Sequence, residues 1–115
     1  MGLFDKLLGG KARDEKRIQK ALTQVKNPKA IREDRVAAIE YFKTLGDMQA
    51  AVPALLQRFE YSIEHSINDT REKESAMDGI VSYGQDALPL VKQHLITTSR
   101  IAWPIKILKA LGQEE

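Results

Sequence analysis

The sequence predicts an all-α protein, a stack of about two helical hairpins flanked by an N-terminal and a C-terminal helix. Three observations predict it. Apolar residues recur at spacings of three and four along most of the chain, the period of one helix face. Glycine and proline fall at the joints between these stretches. The pattern between the joints then repeats along the chain.

Residues 1–11 form a short apolar segment, with Leu3, Phe4, Leu7 and Leu8. The pair Gly9-Gly10 is expected to break a helix there. Residues 12–27 read as an N-terminal helix with Ile18, Ala21, Leu22 and Val25 on one stripe. Lys16, Arg17 and Lys20 occupy its other faces. Asn27-Pro28 reads as the start of the next helix, with Asn as cap and Pro in the first turn. That helix carries Ile31, Ala38, Ile39, Phe42 and Leu45, and Gly46 is expected to end it. A tight turn at Asp47-Met48 leads to a partner helix with Val52, Leu55, Leu56 and Phe59. Asn68-Asp69-Thr70 is expected as a loop or cap. A long helix follows with Ala76, Met77, Ile80 and Tyr83, ended by Gly84. Its partner carries Leu88, Val91 and Leu95. Ser99 is a candidate cap for a last helix of about residues 100–111, which would put Pro104 beyond the first turn and bend it. The expected organisation is therefore one domain over residues 12–115, with hairpins at 28–63 and 68–98 and a partial third at 99–112.

Aligning Gly46, Gly84 and Gly112 brings Phe42, Ile80 and Leu108 together, and likewise Ile39, Met77 and Ile105. Val52-Pro53 pairs with Leu88-Pro89, and Leu55 with Val91. Units of this length cannot bury their apolar faces alone and must stack. The stretch from Arg35-Val36-Ala37-Ala38-Ile39 through Leu45-Gly46-Asp47 to Ala51-Val52-Pro53-Ala54-Leu55-Leu56 resembles the HEAT-like repeats first noted in phycobilin lyases. Arg35 takes the basic position of that pattern and Lys73 takes it in the second copy, whereas Ile101 departs from it in the third. The start Met-Gly-Leu-Phe-Asp-Lys-Leu-Leu and the stretch Ile-Ala-Trp-Pro-Ile-Lys-Ile-Leu are similar to small uncharacterised bacterial HEAT-repeat proteins. The resemblance covers roughly residues 31–112. It implies an α-α superhelix, a HEAT-like solenoid, used as a scaffold, and carries no bilin-binding residue onto this chain.

The chain has 115 residues, 43% hydrophobic and 30% charged, which is enough for one core. There is no cysteine, so disulfides, thiolate metal sites and cysteine nucleophiles are excluded. That fits a reducing compartment, and a cytoplasmic location is expected. No apolar run approaches a membrane span, and the N-terminus is too short and interrupted for a secretory signal. Gly2 fits myristoylation poorly, because Lys6 stands where Ser or Thr is wanted. Net charge is +2. Residues 1–35 hold ten Lys/Arg against five Asp/Glu, interspersed as on a solvated helix face.

No catalytic constellation stands out, and no cofactor or metal site is expected. His65 and His94 lack ligand spacing, although Glu60 and Glu64 lie near His65. Gly9-Gly10-Lys11 lacks the spacing of a phosphate loop. The serines Ser62, Ser66, Ser75 and Ser82 show no base–orienter arrangement. Binding is the expected role, to a protein partner. The candidate contact residues are Trp103, Ile107, Leu108 and Leu111 on the last helix, with Arg58, Tyr61 and Lys92 on the second helices of the hairpins. The last helix is apolar nearly all round, which marks a buried helix. Three coverings are open: further repeats in a longer protein, a second copy in a homodimer, or a partner or the N-terminal segment. Half-exposure is the fourth reading. Two further classes stand behind protein binding. Residues 3–8 suit a weak peripheral membrane contact. Nucleic acid would need a basic stripe on the second helices, and Arg58 and Lys92 are a thin supply.

Overall fold

The computed structural model describes the backbone from Gly2 to Gly112 and the side chains from Asp14 to Gly112. Within that span the chain forms six α-helices: α1 (Gly2–Lys26), α2 (Arg32–Thr44), α3 (Met48–Leu56), α4 (Ser66–Ser82), α5 (Leu88–Thr97) and α6 (Ala102–Gly112). Short 3-10 segments extend α3 (Gln57–Glu60) and precede α5 (Gln85–Ala87). There is no strand among the described residues.

The first departure from expectation is α1, which runs unbroken through Gly9-Gly10. Each interior glycine costs about 1 kcal/mol relative to alanine, and good helix formers on both sides carry the helix across. The side chains of Leu3, Phe4, Leu7 and Leu8, on which the membrane reading rests, lie outside the described residues. The second departure is Asn27-Pro28, which makes a turn rather than starting a helix. Asn27 Oδ1 accepts from the Lys29 amide at 2.9 Å, two residues on, so the side chain competes with helix formation. Helix α2 starts four residues later, after Ile31, without a side-chain cap.

Gly46 and Gly84 do end α2 and α4, at φ +80 and +86. Only glycine enters that left-handed region without strain. Asp47 caps α3 by accepting from the Ala50 amide at 3.4 Å. His65 caps α4 through Nδ1, which accepts from the Asn68 amide at 3.2 Å. Asn68, Asp69 and Thr70 therefore lie inside α4, not in a loop. Helix α6 starts at Ala102, so Pro104 sits in its first turn. Its missing N–H has no intrahelical partner to lose there.

Helices α2, α4 and α6 follow one another in a row, each packed beside the next. Helices α1, α3 and α5 form a second row, and contacts of α1 with α2, α2 with α3, α3 with α4, and α5 with α6 join the two. The core lies between the rows. It includes Val25, Ile39, Phe42, Leu55, Ile80, Val91, Ile107 and Leu111, all essentially inaccessible to water. Each such side chain contributes about 1.5–3 kcal/mol of transfer free energy.

Two tyrosines tie successive helices at their C-terminal ends. The Tyr61 hydroxyl donates to the Val25 carbonyl at the end of α1. The Tyr83 hydroxyl donates to Phe42 O at 2.6 Å and accepts from the Gly46 amide at 3.1 Å, closing the end of α2. All three bonds satisfy backbone groups at helix ends, where intrahelical partners run out.

Candidate functional site

Five charged residues are buried together, those of α4 on the same face as its buried Ala76 and Ile80. They are Arg35 of α2, Arg58 of the 3-10 segment, and Asp69, Glu72 and Lys73 of α4. Glu72 lies between the two arginines. Its Oε1 accepts from Arg35 Nε at 2.8 Å and from Arg58 Nε at 3.0 Å, and its Oε2 accepts from Arg35 Nη2 at 3.2 Å. Asp69 Oδ1 accepts from Arg58 Nη2 at 2.7 Å and Oδ2 from Lys73 Nζ at 2.8 Å. The remaining arginine donors reach backbone carbonyls, Arg35 to Ala30 and Arg58 to Tyr61.

Ionisation follows from this geometry. The hydrogen bond to Glu72 holds the Arg35 pKa above its usual value. Burial alone would raise the Asp69 carboxyl, but bonds from Lys73, Arg58 and the Ile63 amide outweigh it and hold that group below the usual carboxylate range. The Tyr61 phenol is pushed up by its burial, against the pull of the Arg58 and Arg35 charges. Three cations stand against two carboxylates, so every member is paired and the cluster as a whole is positive. The two positions matched as basic in the sequence repeat, Arg35 and Lys73, both enter this cluster. Ile101, the third, is half exposed and lies outside it.

The candidate contact residues separate on this structure. Arg58 is fully buried within the cluster, which removes it as a contact on the open face. Ile107 and Leu111 are core residues, because α6 rests on both α4 and α5 rather than on one neighbour. The face of α6 carrying Pro104, Ile107 and Leu111 is thereby covered from within the chain. Trp103 and Leu108 are half-buried. The Trp103 ring stacks on Phe59 at 5.8 Å with a 9° interplanar angle, and Lys106 Nζ lies 4.4 Å from the Trp103 ring centroid. Tyr61 is half-buried beneath the Arg58 guanidinium, 4.4 Å from its ring. Lys92 is exposed. Those contact residues therefore do not make one surface.

Two surfaces at the ends of the rows were not legible as sites. Beside α6, Ile96 is 75% exposed and Ile101 50% exposed, flanking the turn that leads to Trp103. At the opposite end a groove of about 340 Å³ runs between α1 and α2. Ala21, Ala37, Ala38 and Tyr41 line it together with the polar side chains of Arg17, Lys20, Gln24 and Asp34. Alanines at that spacing let another helix approach closely. Among the described residues no three His, Cys, Asp or Glu side chains converge as metal ligands. No helix among them is long and apolar enough to cross a membrane. Comparison of the chain with protein-family models, curated proteins and solved structures finds no match.

Proposed function

We propose that the chain is a non-catalytic protein-interaction module built of HEAT-like repeats. The observation that carries the reading is the open edge beside α6. Ile96 and Ile101 expose large aliphatic side chains on either side of the turn that leads into α6, the helix that carries half-buried Trp103 and Leu108. Exposed large aliphatic side chains are the kind of surface a protein partner covers. The two-row stacking supports the solenoid part of the reading. The partner class is a protein, a second copy of this chain included.

Ile96→Glu and Ile101→Glu are the clean probes, because neither side chain is part of the core. Trp103→Glu would also remove the stack on Phe59 and confuse folding with binding. Affinity purification from the native host should lose its specific partner, or size exclusion its self-association, in both variants with helicity unchanged. Retention of the same complexes by both variants would reject this edge as the binding surface.

A further inference from the structure

At the rim of the buried cluster, Ser62 in the loop before α4 is held by cations from two other parts of the fold. Lys73 Nζ donates to its Oγ at 3.0 Å and Arg100 Nη1 at 3.4 Å. The Lys73 side chain is 8% exposed, so its ammonium is fixed and nearly dry. Arg100 is exposed and takes no salt-bridge carboxylate among the described residues. Counting Arg100, four cations stand in one hydrogen-bonded network with three carboxylates, those of Asp69 and Glu72 and, through Thr98, that of Glu60. A neutral hydroxyl stands where the two outermost positive charges converge.

We infer that Ser62, Lys73 and Arg100 form a binding site for a tetrahedral oxyanion of the phosphate type. The Ser62 hydroxyl donates to one anion oxygen. Lys73 has a third N–H beyond those given to Ser62 and Asp69, and Arg100 presents a planar fork suited to two oxygens at once. The anion neutralises the positive excess of the cluster. The opposing charge is Glu60, whose Oε2 accepts from Thr98 Oγ1 at 2.5 Å and lies 3.7 Å from His94 Nε2. Thr98 in turn accepts from the Arg100 amide at 3.0 Å, which ties Glu60 to the arm that carries Arg100.

Titration calorimetry of inorganic phosphate into the full chain, at fixed ionic strength with chloride as reference, tests the site. One saturable site is expected, weakened about tenfold in Arg100→Gln and also weakened in Ser62→Ala, since each removes an anion donor. Glu60→Gln is expected to tighten it. Both Arg100 and Ser62 are exposed, so these variants keep the fold, which helicity checks. A parallel titration with phenyl phosphate separates the sources. Binding of both identifies a phosphomonoester site, and binding of inorganic phosphate alone identifies a free-ion site. Binding of neither ligand above chloride, or equal phosphate affinity in wild type and Arg100→Gln, overturns the assignment.

Discussion

Replacing Glu72 by methionine should be among the most damaging single changes in the polar part of this fold. The carboxylate accepts three hydrogen bonds from two buried arginines. Methionine keeps most of the volume and none of the acceptors. Arg35 and Arg58 would then face each other with unpaired donors, and the cluster would hold three cations against one carboxylate. Breaking a buried ion pair from one side costs about 3–5 kcal/mol, because the surviving charge stays desolvated. With an unfolding entropy of about 2.1 cal/mol/K per residue, a chain of this size should melt about 12–20 °C lower. Urea unfolding followed by circular dichroism gives the free energy, and a thermal scan gives the shift. The companion variant replaces Arg35, Arg58 and Glu72 together by apolar residues of similar size. It should regain most of the loss, since no buried charge is stranded and Asp69 keeps Lys73. A loss below about 1 kcal/mol for Glu72→Met would refute the reasoning, since a surface pair behaves that way.

Three further outcomes follow from single contacts. Tyr83→Phe removes the hydroxyl that joins Phe42 O to the Gly46 amide. It should cost about 1–3 kcal/mol in urea unfolding without loss of helicity. Gly84→Ala forces a Cβ into a backbone at φ +86 with open space around it. The cost is conformational, about 1–2 kcal/mol, and a neutral result would mean the turn relaxes. Asp69 has a folded pKa below its unfolded value. Its contribution is complete above the ordinary carboxylate range and is lost as pH falls through the folded pKa. Asp69→Asn should therefore be less stable at pH 7 and show a flatter acid limb in melting temperature between pH 7 and pH 3. An acid limb parallel to that of the wild type would remove Asp69 as its source.

The apolar core was legible because it is periodic. Phe42, Ile80 and Leu108 share a repeat position, and the first two are fully buried. Gly46 and Gly84 were legible because their dihedrals demand glycine. The charged cluster was only half legible. Arg35 and Lys73 stand out as a matched basic position, whereas Asp69 reads as part of a loop or cap and nothing in the repeat singles out Glu72. The signal that could have found them is the stripe of α4. Asp69, Glu72, Lys73, Ala76 and Ile80 follow helical spacing and continue the buried face into its first turns. Arg58 was misplaced because a 3-10 segment replaces the last turn of α3, which rotates its side chain inward relative to a continuous helix. The start of α2 was misplaced for a local reason. The same Asn side chain serves a cap or a turn, and the tertiary contacts of α1 with α2 decide between them. The apolar circumference of the last helix marks it for burial but does not say which face its own chain covers; α4 and α5 together cover the face with Ile107 and Leu111.

The interaction reading is tested most directly by a photo-crosslinking amino acid placed at position 96 in the full chain, inside the native host. Position 33 on α2 serves as the exposed control. A discrete adduct formed from position 96 but not from position 33, and lost when Ile101→Glu is added, is the expected result. An absence of adducts at 96, or the same adducts at both positions, would contradict a binding edge beside α6.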